Sequence, residues 1–143
     1  TNKDSTLMDV RNAAKIIDES YSGEVVELTK ENRNLLERLV QGEAGAEGFI
    51  GAALVAQAIR DTMVEDDTYE LMAIKKKWGY SGRLTTKPNQ DVLDAVKFIF
   101  DDGGYVVQHR IIYFYSFGNT NSRFHESQKF IIQHGGHRFF DQV

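Results

Sequence analysis

LERLVQGEAGAEGFIGAALVAQAI, residues 36–59, changes character at its middle in a way that places two helices with a polar site between them. The first part continues a stripe of Leu35, Leu36, Leu39 and Val40, spaced as one face of a helix that opens at Lys30. Extending that stripe by three or four residues lands on Glu43. A carboxylate in register with an apolar stripe is expected to point into the molecule, and Gly42, Gly45 and Gly48 loosen the backbone around it. From Phe49 to Thr62 the pattern turns apolar almost all round, the signature of a central helix whose alanines let neighbours approach closely. Gln57, in the middle of it, must face a polar site or find partners inside.

Upstream, Thr29 is a cap for the helix at Lys30, since its hydroxyl can accept from first-turn amides and Glu31 adds negative charge at the positive end of the dipole. Residues 5–20 carry Leu7, Val10, Ala13, Ala14 and Ile17 at helical spacing, and residues 21–29 read as a linker. The chain therefore divides into an accessory helix and linker over 1–29 and a principal domain over 30–143. Downstream, a short helix is expected over 68–77, then a glycine-bearing loop over 78–89, then a helix capped by Asn89 with Val92, Leu93, Val96, Ile99 and Phe100 on one face. Residues 105–117 are rich in aromatic and β-branched types, 118–121 supply a turn, and 129–140 return as a second strand, so a C-terminal β-hairpin is expected. Helices first and a hairpin last give an α+β fold with no internal repeat.

A length of 143 residues, with 41% hydrophobic and 27% charged side chains, suits one compact domain with its own core. A net charge of -4 argues against a nucleic-acid partner, and the run Lys75, Lys76, Lys77 reads as a solvated helix face. No apolar stretch is long enough to predict membrane insertion. The absence of cysteine removes thiol nucleophiles, disulfides and thiolate metal sites. The sequence sets no oligomeric state.

The segment LERLVQGEAGAE over 36–47 resembles the helix-end signature of SleB-like cell-wall hydrolases, a family that includes spore-cortex-lytic enzymes and phage lysins. Gly51 with the alanine-rich helix after it resembles the family's second helix. The run Tyr113, Phe114, Tyr115 resembles its aromatic strand, and Gly135, His137, Phe139 and Phe140 resemble its closing motif. These four pieces fall in order across 36–140. Tyr80 and Ser81 stand at a Phe-Ser pair of the family, Gly79 at a glutamine, Asp61 at an asparagine, and Ser116 with Phe117 at an Asn-Pro pair. The resemblance implies a lysozyme-like helical domain over 30–143 that cleaves the bond between N-acetylmuramic acid and N-acetylglucosamine, with Glu43 as the essential acid. It also implies peptidoglycan glycan strands as partner, an extracytoplasmic place at the cell wall, and an outcome like that of a lytic transglycosylase, with simple hydrolysis as the other outcome.

The chemistry explains why one such acid suffices. A glycosidic oxygen leaves poorly until protonated, so the donor carboxyl must keep its proton near neutral pH, and burial at a helix C-terminus favours that. A two-carboxylate hydrolysis needs a partner, and Glu47 lies one turn beyond Glu43 if the helix continues. Tyr113 and Tyr115 share a strand face and are candidates to stack on sugars, against the plainer reading that they pack the core. Tyr80 and Ser81 in the loop after Trp78, and His137 in the closing motif, complete the candidate substrate contacts. His134 and His137 raise a metal reading, with His109 and His125 as further ligands. Positions three apart on a strand face opposite ways unless Gly135 and Gly136 form a bulge, and no HExxH pattern is present, so neither metal nor cofactor is expected. Ser81 and Ser116 lack a His and Asp pairing for nucleophilic chemistry. Two other functions compete: a metal-dependent amidase cutting the peptide stem, with Glu43 as base, and a non-catalytic glycan-binding module built on the aromatics.

Overall fold

The computed structural model describes residues 17–118 and 121–143. The accessory helix expected over 5–20 lies, up to residue 16, outside the described residues. Helix α1, Lys30–Ala44, starts where Thr29 accepts from the Asn32 amide, and it buries Leu36, Leu39, Val40 and Ala44 as the stripe requires. Helix α2, Gly48–Asp66, is buried on every side from residue 50 to residue 63. Gly48, at φ +75°, supplies the left-handed residue that lets the chain double back between the two. Helix α3, Leu71–Trp78, stops at Gly79 in the same conformation. Helix α4, Gln90–Val96, is capped by Asn89 and runs into a π-helical turn over Lys97–Asp101. All of these pack against α2, which forms the axis of the core.

The strands among the described residues form one antiparallel sheet of β1, Tyr113–Ser116, β2, Lys129–His134, and β3, His137–Asp141, in the order β1-β3-β2, with a short helix α5, Arg123–Glu126, between β1 and β2. The fold is α+β, as expected, but the hairpin is not the one the composition suggested. Residues 129–140 hold two strands, because Gly135, at φ 57°, and Gly136 turn the chain within them; β1 then pairs with β3 across the sheet.

The strand expected over 105–117 shortens to its last residues for a physical reason. Gln57 of α2 donates to the carbonyls of Val107 and His109 and accepts from the Val106 amide, while Asp61 accepts from the Ile111 amide. Side chains of a central helix thus take the backbone groups that a strand neighbour would have used. The stretch expected as a linker is also held to the body: the Val26 amide donates to Phe100 and Tyr21 inserts its hydroxyl beside Asp61, and just before it the Asp18 amide donates to Gln108.

Sheet register separates two faces. Phe114, His137, Phe139 and Ile132 share the face toward the helices, whereas Tyr113, Tyr115, Arg138 and Gln133 share the other, which α5 covers. No helix among the described residues is long and apolar enough to cross a membrane.

Candidate active site

Glu43 is the penultimate residue of α1 and only partly accessible. Two glycines bring about its burial. A side chain on Gly42 would overlap the backbone of Arg83, and one on Gly82 would come within 2.8 Å of Glu43 Cγ and 3.1 Å of its Cδ. The end of α1 therefore docks directly on the loop that follows α3, and the Glu43 carboxyl lies between them. Burial pushes this carboxyl above the ordinary range; the amides of Gly82 and Ser81 and the charges of His137 and Lys75 pull back but do not cancel it.

Glu47 does not continue α1. The helix ends at Ala44, and Glu47 sits at the entry to α2, so its side chain turns to the hairpin instead of extending the Glu43 stripe. Its Oε1 accepts from His137 Nδ1 at 3.0 Å and from the Gly136 amide at 3.3 Å. Its Oε2 is shielded from solvent without a hydrogen-bond partner, and added side chains on Gly51 or Gly135 would press on it. Burial works to raise the Glu47 carboxyl, but His137 and Gly136 outweigh it and hold it below the usual carboxylate range.

His137 is buried, with its ring against Phe114 and Phe139. Because Gly135 and Gly136 are the turn itself, His134 and His137 face each other as cross-strand partners, which corrects the expectation that they point opposite ways. Among the described residues no group of three His, Asp or Glu side chains is arranged to hold a metal ion.

Tyr80 is buried as well. Its ring stacks on Phe114 at 5.0 Å and its hydroxyl donates to the Ile112 carbonyl, so it is a wall of the site and not an open sugar contact. Ser81 is exposed and offers its backbone to Glu43. Tyr113 and Tyr115 share a face as the alternation required, but it is the face away from His137. Tyr113 packs with Trp78 and Phe124, and the Tyr115 hydroxyl donates to Glu126. The structure thus brings together Glu43, Glu47, Ser81, His137 and the Tyr80 ring, and sets the two tyrosines apart from them. Gly82 and Lys75 join the group without having been singled out; a glycine in a site-lining loop was the only signal for the first, and for Lys75 the run of three lysines pointed to solvent.

A second polar cluster lies under the N-terminal stretch. Arg60 is fully buried and donates to the carbonyls of Ile99 and Gly104 and to the Tyr21 hydroxyl. Asp61 accepts from Tyr21 and from the Ile111 amide, and burial pushes its carboxyl up to about 6 against those partners and Arg60. A cavity of about 200 Å³ at this cluster shares no lining residue with the Glu43 group.

No protein-family model matches the sequence, and no curated protein matches it. Two solved structures do. The catalytic domain of the SleB protein of Bacillus cereus superimposes with a TM-score of 0.57 at 19% identity, covering 80% of this chain and 93% of that one. The catalytic domain of the germination-specific lytic transglycosylase SleB of Bacillus anthracis superimposes with a TM-score of 0.55 at 17% identity, covering 87% and 100%. The chain has the fold of the SleB catalytic domain.

Proposed function

We propose that this chain is a peptidoglycan lytic glycosidase that breaks the bond from N-acetylmuramic acid to N-acetylglucosamine, with Glu43 as general acid and then general base. The observation that carries the reading is the Glu43 carboxyl, half-buried at a helix end against Gly82 and raised in proton affinity by that burial. It also belongs to the segment that resembles the family's signature, on a fold shared with a protein named as a lytic transglycosylase.

In the first step Glu43 gives its proton to the bridging oxygen, the bond from that oxygen to C1 of the muramic acid breaks, and the N-acetylglucosamine side leaves as an alcohol. Positive charge develops at C1. Glu43, now a carboxylate, takes the proton of the same muramic acid's C6 hydroxyl as O6 bonds to C1, which closes a 1,6-anhydro ring and restores the acid. One carboxylate serves both steps. That favours the anhydro outcome over hydrolysis by a carboxylate pair, since Glu47 is committed to the hairpin turn. Ser81, exposed on the loop beside Glu43, is the contact we assign to the glycan, with Tyr80 and His137 as the wall behind it. The place of action is the extracytoplasmic wall, and 30–143 is the catalytic unit.

Glu43→Gln tests the reading. It is expected to lower lysis of purified cell walls by at least about 1,000-fold, with circular dichroism and wall binding unchanged. Mass spectrometry of the wild-type digest is expected to show anhydro-muramic ends. Undiminished lysis by the variant would sink the mechanism, and free stem peptides released in an EDTA-sensitive way would point to the amidase instead.

A further inference from the structure

Glu47 ties the hairpin turn to the start of α2 with only one of its two oxygens. A carboxylate that accepts only on Oε1 and leaves Oε2 buried without a partner is a costly way to tie a hairpin turn to a helix. Two glycines, Gly51 and Gly135, make the room for it. Its main partner is His137, whose ring packs on Phe114, the same ring on which Tyr80 stacks beside the loop that closes on Glu43. Because Glu47 is ionised and can only accept, the proton between the two must sit on His137 Nδ1. The ring's basic nitrogen is then Nε2.

We propose that Glu47 is a positioning residue that acts through His137: by accepting from Nδ1 it fixes the ring's tautomer and orientation, so that His137 presents a protonatable nitrogen to the Glu43 side of the site. This rests on Glu43 being the acid of a lytic glycosidase. His137 serves the second half of the reaction. When it carries a proton it stabilises Glu43 as a carboxylate, the form that must exist between proton donation and removal of the C6 proton. Clamping between Glu47 and the Phe114 and Phe139 rings spares the site the reordering of a free side chain at that moment.

The groups that bear on this balance are few. Glu43 is faced by His137 from β3, by Lys75 from α3, and by the Ser81 and Gly82 amides from the loop. Glu47 is faced by His137 and Gly136 and, from β2, by His134. Of these only the Glu47–His137 pair joins the hairpin to the acid, so changes in either member should reach Glu43 by the same route.

Wild type, Glu47→Gln, His137→Gln and the double variant are to be compared on soluble glycan strands from about pH 4 to pH 9. Each single variant is expected to lower kcat about tenfold, to leave KM within about twofold, and to move the alkaline limb of the profile upward by about half a unit to one unit, because the charge that favoured ionised Glu43 is weakened or gone. The double variant is expected to be no worse than the poorer single one, since both act through one ring. An unmoved limb in Glu47→Gln, or losses that multiply in the double variant, would overturn the proposal. A readout free of activity accompanies it: long-range proton–nitrogen NMR of His137 should show the proton on Nδ1 in the neutral wild-type ring and a mixture in Glu47→Gln. A wild-type ring protonated on Nε2 overturns the proposal whether or not the variants fold. If the wild type cleaves no glycan at all, the glycosidase reading is what fails, and the NMR result still judges the pair.

Discussion

Glu43 and Asp61 are both carboxylates that burial drives toward the neutral form, yet their surroundings differ. Asp61 accepts from the Tyr21 hydroxyl and the Ile111 amide and pairs with the neighbouring Arg60 at 3.6 Å, while Arg60 itself donates to the Ile99 and Gly104 carbonyls and to the Tyr21 hydroxyl. Apart from the Arg60–Asp61 pair, which lies within α2, these bonds tie other stretches of chain to that helix, including the N-terminal stretch and the segment before β1. Glu43 instead meets one loop, through backbone amides, and keeps an open side. Under the proposed function, the contrast separates a structural acid from a reactive one. Burial perturbs both, but a complete set of partners converts the perturbation into architecture, and an incomplete set leaves a proton to be exchanged with something that arrives from outside.

Breaking the structural member should cost the most. Asp61→Ala leaves Arg60 buried without its counter-charge and the Ile111 amide without its acceptor, so a loss of about 3–5 kcal/mol in unfolding free energy is expected, read by denaturant titration. Below its lowered melting point the residual activity should keep the wild-type pH profile; a moved profile would mean that the two clusters are coupled after all.

A smaller effect is expected where the proposed acid, Glu43, meets its loop. Gly82→Ala puts the new Cβ 2.8 Å from Glu43 Cγ, which the side chain relieves by moving, and 3.0 Å from the Glu43 backbone nitrogen, which only a shift of the loop or the helix end relieves. A fall in kcat of about tenfold is expected, with a fall in melting temperature smaller than that of Asp61→Ala. Full activity in this variant would show that the tight approach of loop and acid is incidental.

The smallest effect concerns stability against pH. The folded-state affinity of Glu43 for its proton is raised, so the stability it contributes is present at low pH and is lost as pH rises through its folded value. Glu43→Gln removes that loss. The variant is therefore expected to melt a few degrees above wild type at about pH 8 and level with it at about pH 4, followed by calorimetry. Equal melting points at both would mean that the carboxyl is solvated like any surface acid.

Much of this arrangement was legible beforehand, and the reasons are local. Thr29 and Asn89 cap helices because their side chains satisfy amides three residues on, a relation written entirely within the segment. The inward direction of Glu43 followed from the period of α1. The failures lie where a distant group won a local contest. Residues 105–112 have strand composition, but Gln57 and Asp61 hold their backbone. Tyr113 and Tyr115 share a face as alternation demands, yet alternation does not say which face meets the helices; the pairing of β1 with β3 and the cover of α5 do. Glu47 would have been the next turn of α1 only if that helix continued; it ends at Ala44, and Glu47 at the start of α2 reaches the hairpin instead.

By itself the sequence determined the α+β layout, the central place of the 48–66 helix and the burial of one glutamate at the end of the helix before it, because caps, periodicity and an all-round apolar surface act between residues a turn apart. The tertiary structure alone decided which loop closes on Glu43, which glutamate pairs with His137 and which tyrosines turn away. Those choices depend on glycines that allow close approach and on hydrogen bonds between residues 11 to 90 positions apart, where no spacing rule connects one side chain to another.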